Sequence, residues 1–245
     1  VSCAPGPAPM TRDSPEPSRP SRPALPCPLM ETPEVVIEHG LPDELRAQAV
    51  EVFEEAFGAK MSTSVRDRDK RMAFVTRAYS AEHAIVARRG ERLLGMAGLD
   101  SKGEPYHGGL VDVSWDPRPY VDLLGWLGAM WAVWGLRLGG YKPKDDEIHL
   151  DGIAVAPGAR GQGIGTRLLA EVADIARRNG KRFVRLDVVD TNPRAQALYE
   201  RVGYRVTRVQ SYRWSQRWTG YGAMISMQQT VSPDVETGPA GVGEG

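Results

Sequence analysis

This 245-residue chain predicts an α/β (α+β) fold, with helices laid on a mixed central sheet of about six to seven strands. Three observations carry that reading. Residues 148–178 pass from an apolar strand through a glycine-rich turn directly into an amphipathic helix. Residues 183–203 repeat the strand-then-helix order. Residues 35–99 offer a strand, two helices and a hairpin.

Residues 1–33 hold ten of the nineteen prolines and few apolar side chains. Burial there does not offset the cost of ordering the chain, so a disordered leader is expected. The stretch has neither the unbroken apolar core of a secretory signal nor the arginine-rich periodicity of a transit peptide, and Met30 is the expected native start. Val35-Val36-Ile37 reads as the first strand. Leu45, Ala49, Val52, Phe53 and Ala56 recur at helical spacing as far as Gly58, the expected end of that helix. Met72, Val75 and Tyr79 mark a second helix. Ala84–Ala87 and Leu93–Leu99 flank Arg89-Gly90-Glu91, a hairpin turn.

Residues 104–146 carry four of the six tryptophans, Trp115, Trp126, Trp131 and Trp134. Leu123–Leu136 is nearly all apolar, yet shorter than the roughly 20 residues a bilayer span needs, so no span is expected and an interfacial membrane contact is disfavoured. The preferred reading is a helix packed on the domain's own core or on a second copy in a homodimer. A wall over an acceptor cleft is the alternative. The strand Ile148–Val155 is stopped by Pro157. Ile164, Leu168, Leu169, Val172, Ile175 and Ala176 then keep helical spacing up to Asn179-Gly180. Phe183–Val189 is the next strand. Asn192 caps a helix that has Pro193 at its first position and Ala195, Leu198 and Val202 on its buried stripe, with Gly203 closing it. Val206–Val209 and Met224–Met227 supply two last antiparallel strands, joined by a loop that carries Tyr212, Trp214, Trp218 and Tyr221. Residues 232–245, with four glycines, read as a flexible tail, leaving 34–231 as the folded domain.

The chemistry concentrates at Arg160-Gly161-Gln162-Gly163-Ile164-Gly165-Thr166. Glycines let a backbone turn tightly and let amides converge, and the helix that starts at once adds unpaired N–H donors and the positive end of its dipole. A diphosphate suits such a place. The spacing Gly161-x-Gly163-x-Gly165 differs from the dinucleotide fingerprint, and Gly165 is followed by Thr166-Arg167 rather than by the Lys-Ser/Thr of a P-loop. If the two central strands are neighbours, their carboxyl ends open a crevice beside the loop.

Arg160-x-x-Gly163-x-Gly165 resembles the Arg/Gln-x-x-Gly-x-Gly/Ala signature of the GNAT N-acetyltransferases. Asn192-Pro193-Arg194-Ala195-Gln196-Ala197-Leu198-Tyr199-Glu200-Arg201-Val202-Gly203-Tyr204 is similar to that family's second block, with Tyr in the final position. The resemblance covers roughly residues 35–230 and departs at the insert. It implies a GNAT fold splayed at a cofactor cleft. It also implies acetyl-coenzyme A as cosubstrate with no metal, and acetyl transfer to a primary amine of a small molecule or peptide by direct attack in a ternary complex. By the same resemblance, cofactor binding falls to Ile153, Ala154 and Val155 along the strand, to Arg160, Gly161, Gln162, Gly163, Ile164, Gly165 and Thr166 in the loop, and to Asn192 on the pantetheine arm.

The reaction needs an uncharged amine. Its pKa of about 10.4 makes neutrality cost about 4 to 5 kcal/mol at neutral pH unless a base takes the proton. Glu147, Asp151 and Asp187 are the candidate bases, with Glu147 preferred, and His149 reads as structural. Tyr199 is the candidate general acid for the thiolate, a role that the resemblance implies. Arg160 is placed for phosphates, while Arg177 and Arg178 read as a solvated helix face.

Both cysteines, Cys3 and Cys27, fall in the leader, so the domain has no thiol nucleophile, disulfide or thiolate zinc site. A cytoplasmic location is expected. The 31 basic residues balance 31 acidic ones, which argues against a nucleic-acid partner. A non-catalytic acyl-coenzyme A sensor is the alternative function.

Overall fold

The computed structural model describes residues 34–62, 65–102, 111, 116–138, 141–212 and 220–231. The expected leader and tail, both cysteines, Trp115, Trp214 and Trp218 lie outside the described residues, as does the side chain of Trp134.

Strand β1 (Val36–His39) leads into helices α1 (Arg46–Met61) and α2 (Arg68–Ala78), followed by the hairpin β2 (Ala84–Arg89) and β3 (Arg92–Ser101). Helix α3 (Val121–Leu138) precedes β4 (Glu147–Val155), α4 (Ile164–Arg178), β5 (Phe183–Val189) and α5 (Pro193–Arg201). Strands β6 (Arg205–Ser211) and β7 (Ala223–Thr230) close the order. All seven strands form one sheet in the order β1-β2-β3-β4-β5-β7-β6. Only β4 and β5 run parallel; the other neighbours are antiparallel. The final hairpin therefore folds back so that β7, and not β6, lies against β5.

Helix α1 passes through Gly58 instead of stopping there, and Ser62 donates to the Gly58 carbonyl at 2.8 Å. The reason is steric rather than conformational. A Cβ at Gly58 would meet the Glu54 carboxylate at 2.6 Å, and that carboxylate is locked in a buried ion pair with Arg71 of α2. Arg71 also donates to the carbonyls of Val65 and Arg66 at 2.7 and 3.0 Å, tying α2 to the segment that leads into it. Glycine at 58 makes room for this clamp.

The apolar insert helix is α3, and it breaks at Gly125, where φ is 69° and ψ 165°. Its buried residues are the small Ala129, Ala132 and Val133, whereas Trp126, Leu127, Met130 and Trp131 face outward, each about half or more exposed. Tyr120, just ahead of it, packs on Phe74 of α2 with ring centroids 4.4 Å apart, and Arg77 of α2 pairs with Asp122 at 2.6 Å. The insert thus meets α2 through Tyr120 and Asp122, with Leu123 and Leu124 partly buried against the core, while Trp126, Leu127, Met130 and Trp131 stay outside.

Helix α4 buries Ile164, Leu168, Leu169, Val172, Ala173, Ile175 and Ala176 against the sheet, as the spacing predicts. At its end, Lys181 donates to the Ala176 carbonyl at 2.8 Å and Gly180 to Arg177 at 3.0 Å, the paired bonds of a glycine stop.

Candidate active site

The splay of the sheet has a local cause. Strand β4 pairs with β5 only from Glu147↔Phe183 to Leu150↔Leu186. On its other edge β4 stays paired with β3, but the register jumps from Leu99↔Leu150 to Gly98↔Gly152, so Asp151 is an extra residue without a register partner. Such a bulge bends the strand and sharpens its twist. The bend falls where the pairing with β5 ends. Ile153, Ala154 and Val155 continue along β3 and away from β5, whose own residues Asp187, Val188 and Val189 remain paired with β7. A parted sheet with one strand edge lacking its neighbour is a place for an extended polar arm to lie.

Beyond the parted strands lies the loop. Its glycines divide into two kinds. Gly161 and Gly163 both have φ of 77°, and a Cβ on either would meet nothing within 4 Å, so each is there for its backbone conformation beside open space. A Cβ on Gly165 would lie 3.2 Å from Leu198 Cδ2 and 3.8 Å from Val155 Cγ2. That glycine lets α4 approach α5 and β4, a packing role beside whatever its amide does at the loop. Gly163 leads α4 with no side-chain cap, and the first bond back to it comes from the Arg167 amide at 3.0 Å. The amides of the first turn accordingly have no partner within the helix. Open glycine backbone, first-turn amides and the dipole's positive end fit a diphosphate.

Arg160 donates from Nε to the Val155 carbonyl at 3.2 Å and pairs with Glu55 of α1 at 2.7 Å. The other cations that crowd this part of the sequence disperse. Arg167 donates to the Val35 carbonyl, Arg177 pairs with Asp174, Arg178 with Glu171, and Lys181 reaches the Asp145 carbonyl. Gln162 turns its side chain onto the Gly158 carbonyl at 2.9 Å.

The acidic candidates separate by depth. Glu147 opens β4, is 2% exposed, and accepts bonds from the Tyr141 hydroxyl and, at 2.9 Å, from the Lys144 amide. Asp151 is the exposed bulge residue at the mouth. Asp187 stands on β5 one residue past the last pair with β4. Burial pushes the Asp187 carboxyl up, but the close approach of His149, the bond from Ser226 and the nearby Arg185 guanidinium outweigh it, holding the group below the usual carboxylate value.

The registers put these groups on one face of the sheet. Asp100, His149, Arg185 and Gln228 form a row of partners across β3, β4, β5 and β7, and Asp187 and Ser226 pair in the next row on that face. Ser226 donates to Asp187, and Arg185 donates to the Ser226 hydroxyl at 3.1 Å and to the Tyr141 hydroxyl at 2.9 Å, with its guanidinium 3.9 Å over the Tyr141 ring. Glu147 and Asp187 are therefore the two ends of one chain of bonds that runs through Tyr141, Arg185 and Ser226. Sequence reasoning found its two acids but missed Tyr141, Arg185 and Ser226. The period of two puts Arg185 on the same face of β5 as Asp187, but no local pattern joins that face to Ser226 on β7 or to Tyr141.

Three residues separate the end of β5 from the start of helix α5. The side-chain oxygen of Asn192 accepts from the Ala195 amide at 3.2 Å, so it serves as the helix cap and leaves its amide nitrogen to donate. Tyr199 is 7% exposed, and burial pushes its hydroxyl up to about 12. Its ring lies 5.9 Å from that of Tyr204.

Comparison with known proteins agrees with this architecture. Residues 123–204 match the acetyltransferase (GNAT) family. The thialysine N-epsilon-acetyltransferase of Bos taurus is 43% identical over 60 residues, 24% of this chain and 35% of that protein. The streptothricin acetyltransferase of Streptomyces lavendulae is 34% identical over 95 residues, 36% of this chain and 45% of that protein. These matches span less than half the length of either relative. A crystal structure of an acetyltransferase shares the fold, with a TM-score of 0.52 at 17% identity, covering 80% of this chain and 100% of that one. The match places residues 123–204, from α3 to just past the end of α5, with the GNAT family.

Proposed function

We propose that the protein moves an acetyl group from acetyl-coenzyme A to a primary amine of a small molecule or peptide by direct attack in a ternary complex. The observation that carries this reading is the coincidence of two features. β4 parts from β5 just beyond Leu150 and Leu186, and the loop that follows it carries two left-handed glycines ahead of an uncapped helix. The relatives named for acetylating thialysine, at its N-epsilon, and streptothricin support the choice of acceptor class.

Gly161, Gly163, Ile164 and Thr166 would hold the diphosphate through backbone amides, each such bond to a charged group being worth roughly 1.5 to 3 kcal/mol. Arg160 adds charge once it exchanges Glu55 for phosphate. The backbone of Ile153, Ala154 and Val155 and the free amide of Asn192 would line the pantetheine arm. The bound cosubstrate supplies an activated acyl thioester. Tyr199 stays protonated throughout the working pH range and can donate to a developing thiolate. A thiolate enclosed beside it is raised by the same desolvation, so donor and acceptor remain matched.

A thiol-release assay with purified protein and a panel of primary amines tests the proposal. Release that depends on the amine is the expected result. Acyl-coenzyme A binding without amine-dependent release would replace this reading with that of a sensor. Among the described residues no helix is long and apolar enough to cross a membrane.

A further inference from the structure

His149 read from sequence as a structural histidine, yet its surroundings are those of a working one. The side chain is 9% exposed. Its Nε2 is enclosed, has no hydrogen-bond partner, and faces Asp187 Oδ2 at 3.5 Å. The Tyr141 ring backs the imidazole at 4.9 Å between centroids. Asp187 is itself aligned by the Ser226 hydroxyl, which Arg185 orients in turn. A buried imidazole nitrogen without a full hydrogen bond costs free energy, and a fold that keeps one there calls for a reason such as catalysis. His149 also stands at the right place, two residues before the bulge and opposite the β5 lip where the sheet parts.

We propose that His149 is the base that takes the acceptor's proton, and that Asp187 is its positioning residue, facing Nε2 so that the proton resides there and Nδ1 carries the lone pair. This rests on the acetyltransferase reading above and names the catalytic residue within it. The carboxylate facing one ring nitrogen selects the tautomer. Asp187, held below the usual carboxylate range, remains an anion that orients the ring and is a poor base in its own right.

The step balances as follows. The acceptor ammonium gives one proton to Nδ1 of His149, forming an imidazolium beside the Asp187 anion. The amine nitrogen attacks the thioester carbonyl carbon, so a C–N bond forms and the C–S bond breaks. The departing sulfur takes a proton from the Tyr199 hydroxyl, which regains one from the acylated nitrogen. His149 then releases its proton to solvent. Around the imidazole stand Asp100 on β3, Glu147 on β4, Tyr141 before it, and Arg185 and Asp187 on β5. On α1, Glu54 and Glu55 are engaged by Arg71 and Arg160.

The test uses the full chain with His149→Gln, Asp187→Asn and Ser226→Ala. Calorimetry with acetyl-coenzyme A first checks that the variants keep the cofactor site. H149Q is expected to lower kcat by 100-fold or more at unchanged cofactor affinity and to abolish the acid limb of the kcat profile. D187N should lower kcat by at least 10-fold. Nitrogen NMR of the imidazoles, only four in the chain, gives a readout independent of turnover. His149 is expected in the Nε2–H form in the unmodified protein, with that preference lost in D187N. Full turnover and an intact acid limb in H149Q would overturn the proposal, as would an Nδ1–H tautomer in the unmodified protein. If no amine is ever acetylated, the function reading fails, and the tautomer measurement still decides the pairing of His149 with Asp187.

Discussion

Glu55 Oε1 lies 2.7 Å from a guanidinium nitrogen of Arg160, so the cation beside the glycine loop is held by the second half of α1. A phosphate that binds the loop must compete with this carboxylate for the same guanidinium. The pair is about half exposed, 57% for Arg160 and 41% for Glu55, so breaking it costs little, about 0.2 to 1 kcal/mol. Glu55→Gln is expected to tighten acetyl-coenzyme A binding by up to about 5-fold. Arg160→Ala should weaken it. Calorimetry at low and high salt checks both, and the gain in E55Q should shrink at high salt.

The loop glycines should respond differently to substitution. Gly163→Val forces a β-branched residue into the left-handed region, at a cost of roughly 1 to 2 kcal/mol in stability, and places a side chain in the open space before the amides. Loss of measurable cofactor binding in a folded protein is the expected outcome. Gly165→Val instead presses on Leu198, so thermal stability should fall through packing. Adding Leu198→Ala should recover part of that loss and should not rescue G163V.

Tyr199→Phe should leave cofactor affinity intact and slow turnover. There is also a stability signature. Burial raises the hydroxyl from 10.0 to about 12, so the native state holds its proton more tightly than the unfolded chain does. That contribution is fully present below pH 10 and is lost as pH rises to about 12, a loss of about 3 kcal/mol. Phenylalanine cannot titrate. Denaturant unfolding between pH 9 and 12 should therefore show a shallower decline in Y199F than in the unmodified protein.

The Glu54–Arg71 pair predicts an asymmetry between its single and combined removal. Both side chains are 8% exposed, and Glu54→Ala leaves a buried guanidinium uncompensated, for which about 3 to 5 kcal/mol of destabilisation is expected. Glu54→Leu combined with Arg71→Met should lose less than E54A alone. Urea unfolding of the set measures this. Gly58→Ala, tolerated in an ordinary helix, should destabilise here because its methyl meets the Glu54 carboxylate.

Much of the fold was legible because local patterns and tertiary packing agreed. The apolar spacing from Ile164 to Ala176 is the buried face of α4, and Phe183–Val189 is strand β5 with its predicted bounds. Asn192 and Pro193 start α5 as their chemistry requires. Agreement failed where a side chain far along the chain claims the space. Gly58 reads as a helix stop, but the helix runs on, and the glycine leaves the room that Glu54 takes when Arg71 holds it there. The insert helix reads as packed on the domain's own core or on a second copy, and in the fold it turns Trp126, Leu127, Met130 and Trp131 outward, which its local apolar run does not decide. Within the site, the loop and Tyr199 were visible as motifs, whereas Arg185, Ser226 and Tyr141 were not, since nothing in the linear order links them.

The sequence alone determined the order of strands and helices, the glycine loop at the head of α4, and the acidic and tyrosine candidates, because these depend on residues within a few positions of one another. Only the tertiary structure decided that β7 lies between β5 and β6 and that β4 bends away from β5 at Asp151. It alone also brought His149 to face Asp187. Sheet register and packing bring His149 and Asp187 together across 38 positions, and no local propensity encodes that meeting.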